Sequence, residues 1–211
     1  MGSIDAATAR FYDEHGRASV ERWESIPADA GVAPFFDVFR PGSSVLDIGC
    51  GSGRDLAALS ALGHEVYGVE PTAALRARSA ALHPELEGRI VAGALPGSIE
   101  LPSEWPGAFG GIVCSAVLMH VPRPELPTAV RTIHSLLLVG GRVLLSIPNR
   151  RGDVADARDP AGRLFTGVTV DELAKLGEGL GLVVESVWSE LPDAQGRLGN
   201  SWDIAVFGRV R

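Results

Sequence analysis

The sequence predicts an α/β fold: a doubly wound, mostly parallel seven-stranded sheet with an antiparallel last strand and an N-terminal helical cover. Three observations carry this expectation. From Ser44 onward, short apolar runs of β type alternate with segments whose apolar residues recur at helical spacing, which is the pattern of βαβ units and so of parallel strands. The first of these runs passes directly into alternate glycines and then a helical segment. The last two runs are joined by a segment with no helical pattern, so they should pair antiparallel through a long hairpin. A length of 211 residues suits one domain with a continuous core, residues 1–211, divided into a cover (1–40) and the sheet core (41–211).

Taken in order, residues 6–24 are polar with apolar side chains at helix-like intervals (Ala7, Phe11, Ala18, Trp23), and Pro27 closes them. They read as one amphipathic helix or a helix pair. A second helical stretch, 32–39, ends at Arg40-Pro41-Gly42, and 44–48 is the first strand. Residues 54–62 form a helix stopped by Gly63 as its C-terminal cap. Strand 65–69, helix 72–82, strand 89–92 and the buried strand 110–117 continue the alternation. Residues 124–138 are helical until Gly140-Gly141 breaks the pattern, and 142–147 is the most strongly β-patterned run. A polar loop, 149–167, precedes helix 169–179, where Thr169 and Glu172 have the spacing of a capping box. Strands 182–188 and 202–208 close the chain.

A hydrophobic fraction of 45% against 21% charged is that of a packed chain rather than a disordered one. The formal charge of −7 weighs against a surface that wraps phosphate backbone, so nucleic acid is disfavoured as a partner. The two cysteines, Cys50 and Cys114, lie in separate apolar runs and make neither a disulfide framework nor a zinc cluster; no metal is expected. No window approaches the roughly 18 apolar residues of a membrane span, and Met1 to Asp5 lacks a basic segment followed by an apolar stretch. Gly2-Ser3 fails an acylation pattern because the sixth residue is Ala6. A reducing, cytoplasmic setting without a membrane is therefore expected.

The strongest local signal is Val45-Leu46-Asp47-Ile48-Gly49-Cys50-Gly51-Ser52-Gly53. Ligands of doubly wound sheets bind beyond the carboxyl ends of the strands, where this loop falls. Glycines at 49, 51 and 53 permit positive φ and close backbone approach, and Asp47 can accept a hydrogen bond from a cation or an N–H donor. A dinucleotide fingerprint needs its third glycine one position later. A phosphate-binding Gly-Lys-Ser/Thr is replaced by Arg54-Asp55. Glu70 ends the second strand at about the 20-residue separation from the loop at which an acidic side chain meets ribose hydroxyls.

These residues resemble the class I S-adenosylmethionine-dependent methyltransferases, whose first motif is an acidic residue followed by G-x-G-x-G and whose second strand ends in an acidic ribose ligand. Gly111 through His120 is similar to the family's fourth strand and the segment after it. Leu138-Val139-Gly140-Gly141 through Ser146 is similar to its helix-to-fifth-strand motif, and Phe11 through Trp23 to the helical cover of many small-molecule members. The resemblance implies the Rossmann-like fold, S-adenosylmethionine as cofactor, and in-line methyl transfer to an O, N or S nucleophile of a small-molecule acceptor. Residue by residue it implies cofactor contacts from Asp47, Gly49, Gly51, Gly53, Arg54, Glu70, Pro71, Ala94, Ser115 and Tyr12. His120, following the fourth strand, is the candidate general base, because an ordinary imidazole suits proton removal near neutral pH.

The chain departs from the family in two places. Val91 through Leu95 has no acid to bond the adenine amine, and Cys114-Ser115-Ala116 replaces the acid or Asn of an amino-methylating motif. Arg150, Arg151, Arg158 and Arg163, interleaved with Asp153, Asp156 and Asp159, read as an internally paired loop, with an anionic-substrate site as the alternative. Asp193 through Arg197, with Trp202, either lines the mouth or merely turns the chain. The competing functions are a non-catalytic module that binds S-adenosylmethionine or S-adenosylhomocysteine, a methyltransferase acting on protein or RNA, and, more remotely, a nicotinamide-dependent oxidoreductase. Oligomeric state and the identity of the acceptor are not legible in the sequence.

Overall fold

The computed structural model of the chain describes residues 4–27, 29–97 and 99–211. Residues 1–3, on which the leader and acylation readings bear, lie outside them. The sheet contains β1 (Ser44–Ile48), β2 (Glu65–Val69), β3 (Ile90–Val91), β4 (Phe109–Ser115), β5 (Leu137–Arg150), β6 (Leu182–Pro192) and β7 (Ser201–Arg209), in the order β3-β2-β1-β4-β5-β7-β6. β1 pairs in parallel with both β2 and β4, while β7 runs antiparallel between β5 and β6. The chain thus leaves β1 outward to β3 and returns to β1's other side as β4. Loops leaving β1 and β4 diverge at that switch point and open a crevice beyond their carboxyl ends.

Among the described residues five α-helices accompany the strands: α1 (Ala6–Glu24), α2 (Arg54–Ala61), α3 (Ala73–Leu82), α4 (Leu126–Leu136) and α5 (Val170–Glu178). Because successive strand residues face opposite ways, β1 feeds two cores at once. Leu46 and Ile48 pack with Val130, Ile133 and Leu173 from α4 and α5, whereas Val45 packs with Leu56 and Leu59 of α2. All of these side chains are buried. No helix among the described residues is long and apolar enough to cross a membrane.

The cover rests on the core through contacts distant in sequence. α1 lies across α3 at Gly16, where an added Cβ would sit 3.2 Å from Leu75 Cδ2. Asp5 caps α1, accepting from the Thr8 N–H at 2.9 Å, and the same carboxylate accepts from both terminal nitrogens of Arg158, at 2.9 and 3.1 Å. Thr8 Oγ1 in turn accepts from the Leu164 N–H at 2.9 Å.

Several boundaries correct the sequence reading. Residues 6–24 are one helix rather than a pair, and 33–38 form a 3-10 helix rather than an α-helix. β3 keeps only two of its four expected residues. β4 stops at Ser115 because Ala116 turns the chain with φ +57°. Gly140-Gly141 does not separate α4 from β5: the chain becomes extended at Leu137, and the glycines lie inside the strand, beside a register shift between Phe109 and Gly111 of β4. Thr169 caps α5 as expected, accepting from the Glu172 N–H, but the Glu172 carboxylate turns to Arg123 instead of closing the box.

The Arg158 guanidinium, opposed by burial and aided by the Thr8 N–H, holds the Asp5 carboxyl well below the usual carboxylate range. A carboxyl depressed in the folded state adds stability above its unfolded value near 3.8 and loses it as pH falls further. Asp5→Ala is expected to cost about 1 kcal/mol through the lost cap, and Asp5→Asn less, since a capping oxygen remains. Urea unfolding at pH 7 and at pH 2 to 3 checks this, because the gap between wild type and Asp5→Ala should narrow at the acid end.

Candidate active site

The loop after β1 is held open by its own backbone. Gly49, Gly51 and Gly53 have φ of +77°, +55° and +86°, in the left-handed region that penalises other residues. The N–H groups of Gly49 and Cys50 both donate to Val69 O, at 2.7 and 3.2 Å, which ties the loop to the end of β2. A Cβ at Gly49 would lie 2.5 Å from Val117 Cγ2, and one at Gly51 2.9 Å from Trp23 Cζ3. The indole of α1 therefore lies directly over the loop.

A cavity of about 690 Å³ opens above the carboxyl ends of the parallel strands, roofed by α1, by residues 26–27 and 29–35 and by the turn after β6. Asp47, Gly49, Gly51, Arg54 and Glu70 line its inner arm, with Pro71 and Ala94 beside β2 and β3, and Ser115, Tyr12 and His120 toward β4. Gly53 does not line it. Its missing side chain makes room for Ser79 and Leu86 beneath α3, so its role is to start α2 under tight packing.

Electrostatically the inner arm is acidic. Glu70 is buried, and its two oxygens accept from the Gly51 N–H at 3.1 Å and the Thr72 N–H at 2.8 Å. Asp47 is 3% exposed and its carboxyl group makes no hydrogen bond among the described residues; burial, with the nearby charges of Asp55 and Glu70, pushes it well up. Arg54 is paired with Asp55 at 2.7 Å and donates to Ile26 O at 3.3 Å. An arm with two buried carboxyl groups, and its one guanidinium already paired with the half-buried Asp55, favours a ligand that brings positive charge and N–H or O–H donors. Among the described residues no group of His, Cys, Asp and Glu side chains could hold a metal ion.

On the β4 side, His120 Nδ1 lies 2.6 Å from Leu164 O and Nε2 lies 3.2 Å from the Tyr12 hydroxyl. A carbonyl only accepts, so Nδ1 carries the proton and Nε2 accepts from Tyr12. Arg163 Nη1 donates to the same phenolic oxygen at 3.3 Å. The ordinary imidazole pKa assumed from sequence does not hold: burial, with the neighbouring Arg163 and Arg151, pushes His120 down to about 4. The loop arginines are internally paired, Arg151 with Asp153 and Arg163 with Asp159, while Arg158 instead reaches Asp5 and Arg150 a backbone carbonyl. The turn at 193–197 does line the mouth, with Asp193 holding Arg197 and the Trp202 Nε1–H.

Sequence reasoning missed Asp55, Phe35 and Ser146, all on the cavity wall. Ser146 had a usable signal: it is the polar residue in the apolar run of β5, and register pairing sets it beside Ser115 on β4.

Glu70→Gln must set an amide N–H against one of two backbone N–H donors. The unsatisfied buried group is expected to cost about 1–3 kcal/mol in denaturant unfolding. Gly49→Ala, with positive φ and the Val117 contact both against it, is expected to destabilise by a similar 1–3 kcal/mol.

Comparison with known proteins agrees with this geometry. Residues 20–187 match the model of a family described as "Methyltransferase domain". A ubiquinone biosynthesis O-methyltransferase of Xanthomonas campestris pv. campestris is 38% identical over 114 residues, which is 54% of this chain and 46% of that protein. The chain thus spans about half the length of the curated relatives it matches. Among solved structures, Burkholderia thailandensis 1,6-didemethyltoxoflavin-N1-methyltransferase, crystallised with S-adenosylhomocysteine, superposes with TM-score 0.74 at 22% identity, covering 98% of this chain and 88% of that one. A TehB-like SAM-dependent methyltransferase from Corynebacterium glutamicum gives 0.67 at 25% identity, covering 93% and 98%. With four-fifths of its length inside the family model and the glycine loop, acidic strand ends and strand order in place, the chain belongs to the methyltransferase-domain family.

Proposed function

We propose that this chain transfers a methyl group from S-adenosylmethionine to an O, N or S nucleophile of a small-molecule acceptor. The observation that carries the reading is the inner arm: a buried, unpartnered Asp47 beside Glu70, at a glycine loop whose Cβ positions must stay empty. Such an arm fits a ligand with a sulfonium, an ammonium and ribose hydroxyls. Asp47 and the backbone at Gly49 and Gly51 would hold the amino-acid end, Arg54, held to Asp55 through one nitrogen only, its carboxylate, and Glu70 the ribose. Pro71, Ala94 and Leu95 would enclose the base by packing, since no acid stands there. When bound, S-adenosylmethionine supplies a methyl group already activated on sulfur, so the protein's task is alignment and exclusion of water. Trp23 and Tyr12 do the excluding from above.

Proton removal falls to Tyr12 and His120. Nε2 is the unprotonated nitrogen and accepts from Tyr12, and a hydroxyl that donates to the Tyr12 oxygen can pass its proton along the Tyr12-to-Nε2 hydrogen bond. Arg163, donating to the same oxygen, stabilises negative charge there. The free, buried Cys50 and Cys114 accord with a reducing, cytoplasmic setting. The names of the similar proteins support a compact acceptor rather than a nucleic acid.

Isothermal titration with S-adenosylmethionine and S-adenosylhomocysteine tests the reading. Wild type should bind both, and Asp47→Ala and Glu70→Ala should each weaken binding by roughly tenfold or more, the worth of one charge-assisted hydrogen bond. Absence of binding by folded wild type overturns it; binding without turnover on any acceptor leaves a non-catalytic module. A second measurement addresses His120. Because its neutral form persists down to about pH 4, the acid limb of kcat/KM should break near 4 rather than 6.5. His120→Ala should lower kcat and leave cofactor affinity unchanged.

A further inference from the structure

The cavity extends well past the acidic arm, and its outer half has a different chemistry. There the wall is Val32 and Phe35 of the cover, Leu191 and Pro192 at the end of β6, and Trp202 and Ile204 of β7. Phe35 is braced against Trp188 at 4.5 Å between ring centroids, and the Trp202 indole is pinned by its N–H bond to Asp193. This is an apolar surface with fixed aromatic side chains rather than a flexible mouth.

Every guanidinium on the cavity wall already has a carboxylate of its own. Arg151 holds Asp153 through two nitrogens, at 2.7 and 2.6 Å, and its charge lies 4.3 Å from the Phe165 ring centre. Arg163 holds Asp159 at 2.8 and 2.6 Å, and Arg197 holds Asp193 at 3.1 and 2.7 Å. An anionic acceptor would have to displace one of these two-point pairs, and Asp29, exposed at the mouth, adds repulsion. The outer arm therefore offers no compensation for a buried negative charge.

One polar feature is left unspent at the floor. Ser115 and Ser146, paired across β4 and β5, have their hydroxyl oxygens 3.0 Å apart, and Ser146 Oγ also accepts from the Ala116 N–H at 3.1 Å. The same N–H also donates to the Ser146 backbone carbonyl at 3.1 Å, so the β4–β5 pairing aims it, and the chain then turns away at Ala116 with φ +57°. Two hydroxyls own two hydrogens and the bond between them uses one. The second has no partner among the described residues, and both side chains line the cavity.

Resting on the methyl-transfer reading, we propose that the Ser115–Ser146 hydroxyl pair docks the polar end of the acceptor, and that this acceptor is an uncharged, largely apolar molecule lying against the outer arm. The pair positions the acceptor and takes no part in bond making.

The test uses the protein loaded with S-adenosylhomocysteine, so that no turnover is needed, and titrates matched probes that differ in charge: methyl 4-hydroxybenzoate and 4-hydroxybenzoate. The ester should bind roughly tenfold or more tightly than the acid. Ser146→Ala should lose about tenfold of the ester's affinity, the worth of one hydrogen bond, with S-adenosylhomocysteine binding within twofold of wild type. Ser146→Thr, which restores a hydroxyl, should recover the ester's affinity. Tighter binding of the acid, binding of neither probe, or indifference to Ser146→Ala overturns the proposal while S-adenosylhomocysteine still binds. Loss of that binding in wild type overturns the underlying reading instead.

Discussion

The buried carboxylate of Glu70 is the tie on which the site depends. Its two oxygens take the N–H of Gly51 and the N–H of Thr72, and so join the loop after β1 to the first turn of α3. Those donors are loop groups with no ladder to satisfy them, and in this enclosed setting each would be costly if unpaired. The same residue thus closes the loop and leaves its remaining lone pairs toward the cavity. A substitution that lowers ligand affinity here acts partly through the loop's shape. This is why unfolding and binding have to be read together at this position.

Charge is partitioned along the cavity in a way that follows from chain topology. The carboxylates of Asp47 and Glu70 stand at the ends of neighbouring parallel strands, so one edge of the switch point is acidic, and the nearby Arg54 guanidinium is paired with Asp55 rather than with Asp47. The arginines come from the segments after β5 and β6, and each arrives with an aspartate close by in sequence: Asp153 for Arg151, Asp159 for Arg163, Asp193 for Arg197. Pairing within a short loop takes little chain entropy, so these cations are spent locally. Their stacking on Phe165 and Phe11 then uses them as packing surfaces rather than as ligands.

What could be read from sequence was what the chain builds locally. The glycine loop, the acid at the end of β2, the cap at Thr169 and the strand alternation each depend on residues within a turn or one strand of each other, and all appear where expected. The misreadings share a cause as well. Gly140-Gly141 looks like a helix terminator in isolation, but pairing with β4 draws the strand back to Leu137. Gly53 looks like a ligand glycine, yet α3 occupies the side where its Cβ would point. His120 cannot be assigned a tautomer or a depressed pKa from sequence, because Leu164 and Tyr12 are 44 and 108 residues away from it. Ser146 becomes significant only once register sets it against Ser115.

The acceptor side is consequently a product of docking rather than of the sheet. Tyr12 reaches His120 only because α1 is seated, and α1 is seated by Asp5 on Arg158, by Thr8 on the Leu164 N–H, and by Gly16 on Leu75. Three of these contacts involve the 150–167 segment, directly or through His120, which itself hydrogen-bonds Leu164 O. Cover and segment therefore order one another: without α1, Arg158 loses its carboxylate partner and the Leu164 N–H its acceptor, and without the segment α1 keeps its rest on α3, the Glu24–His83 contact and Trp23 over the glycine loop. The β1 loop and Glu70 take their hydrogen bonds from within the core, at Val69 and Thr72, and meet the cover mainly through Trp23. Loosening the cover should then degrade acceptor recognition and proton handling well before it degrades the acidic arm. In this architecture the affinity for the methyl donor and the selectivity for the acceptor are carried by parts that can fail separately.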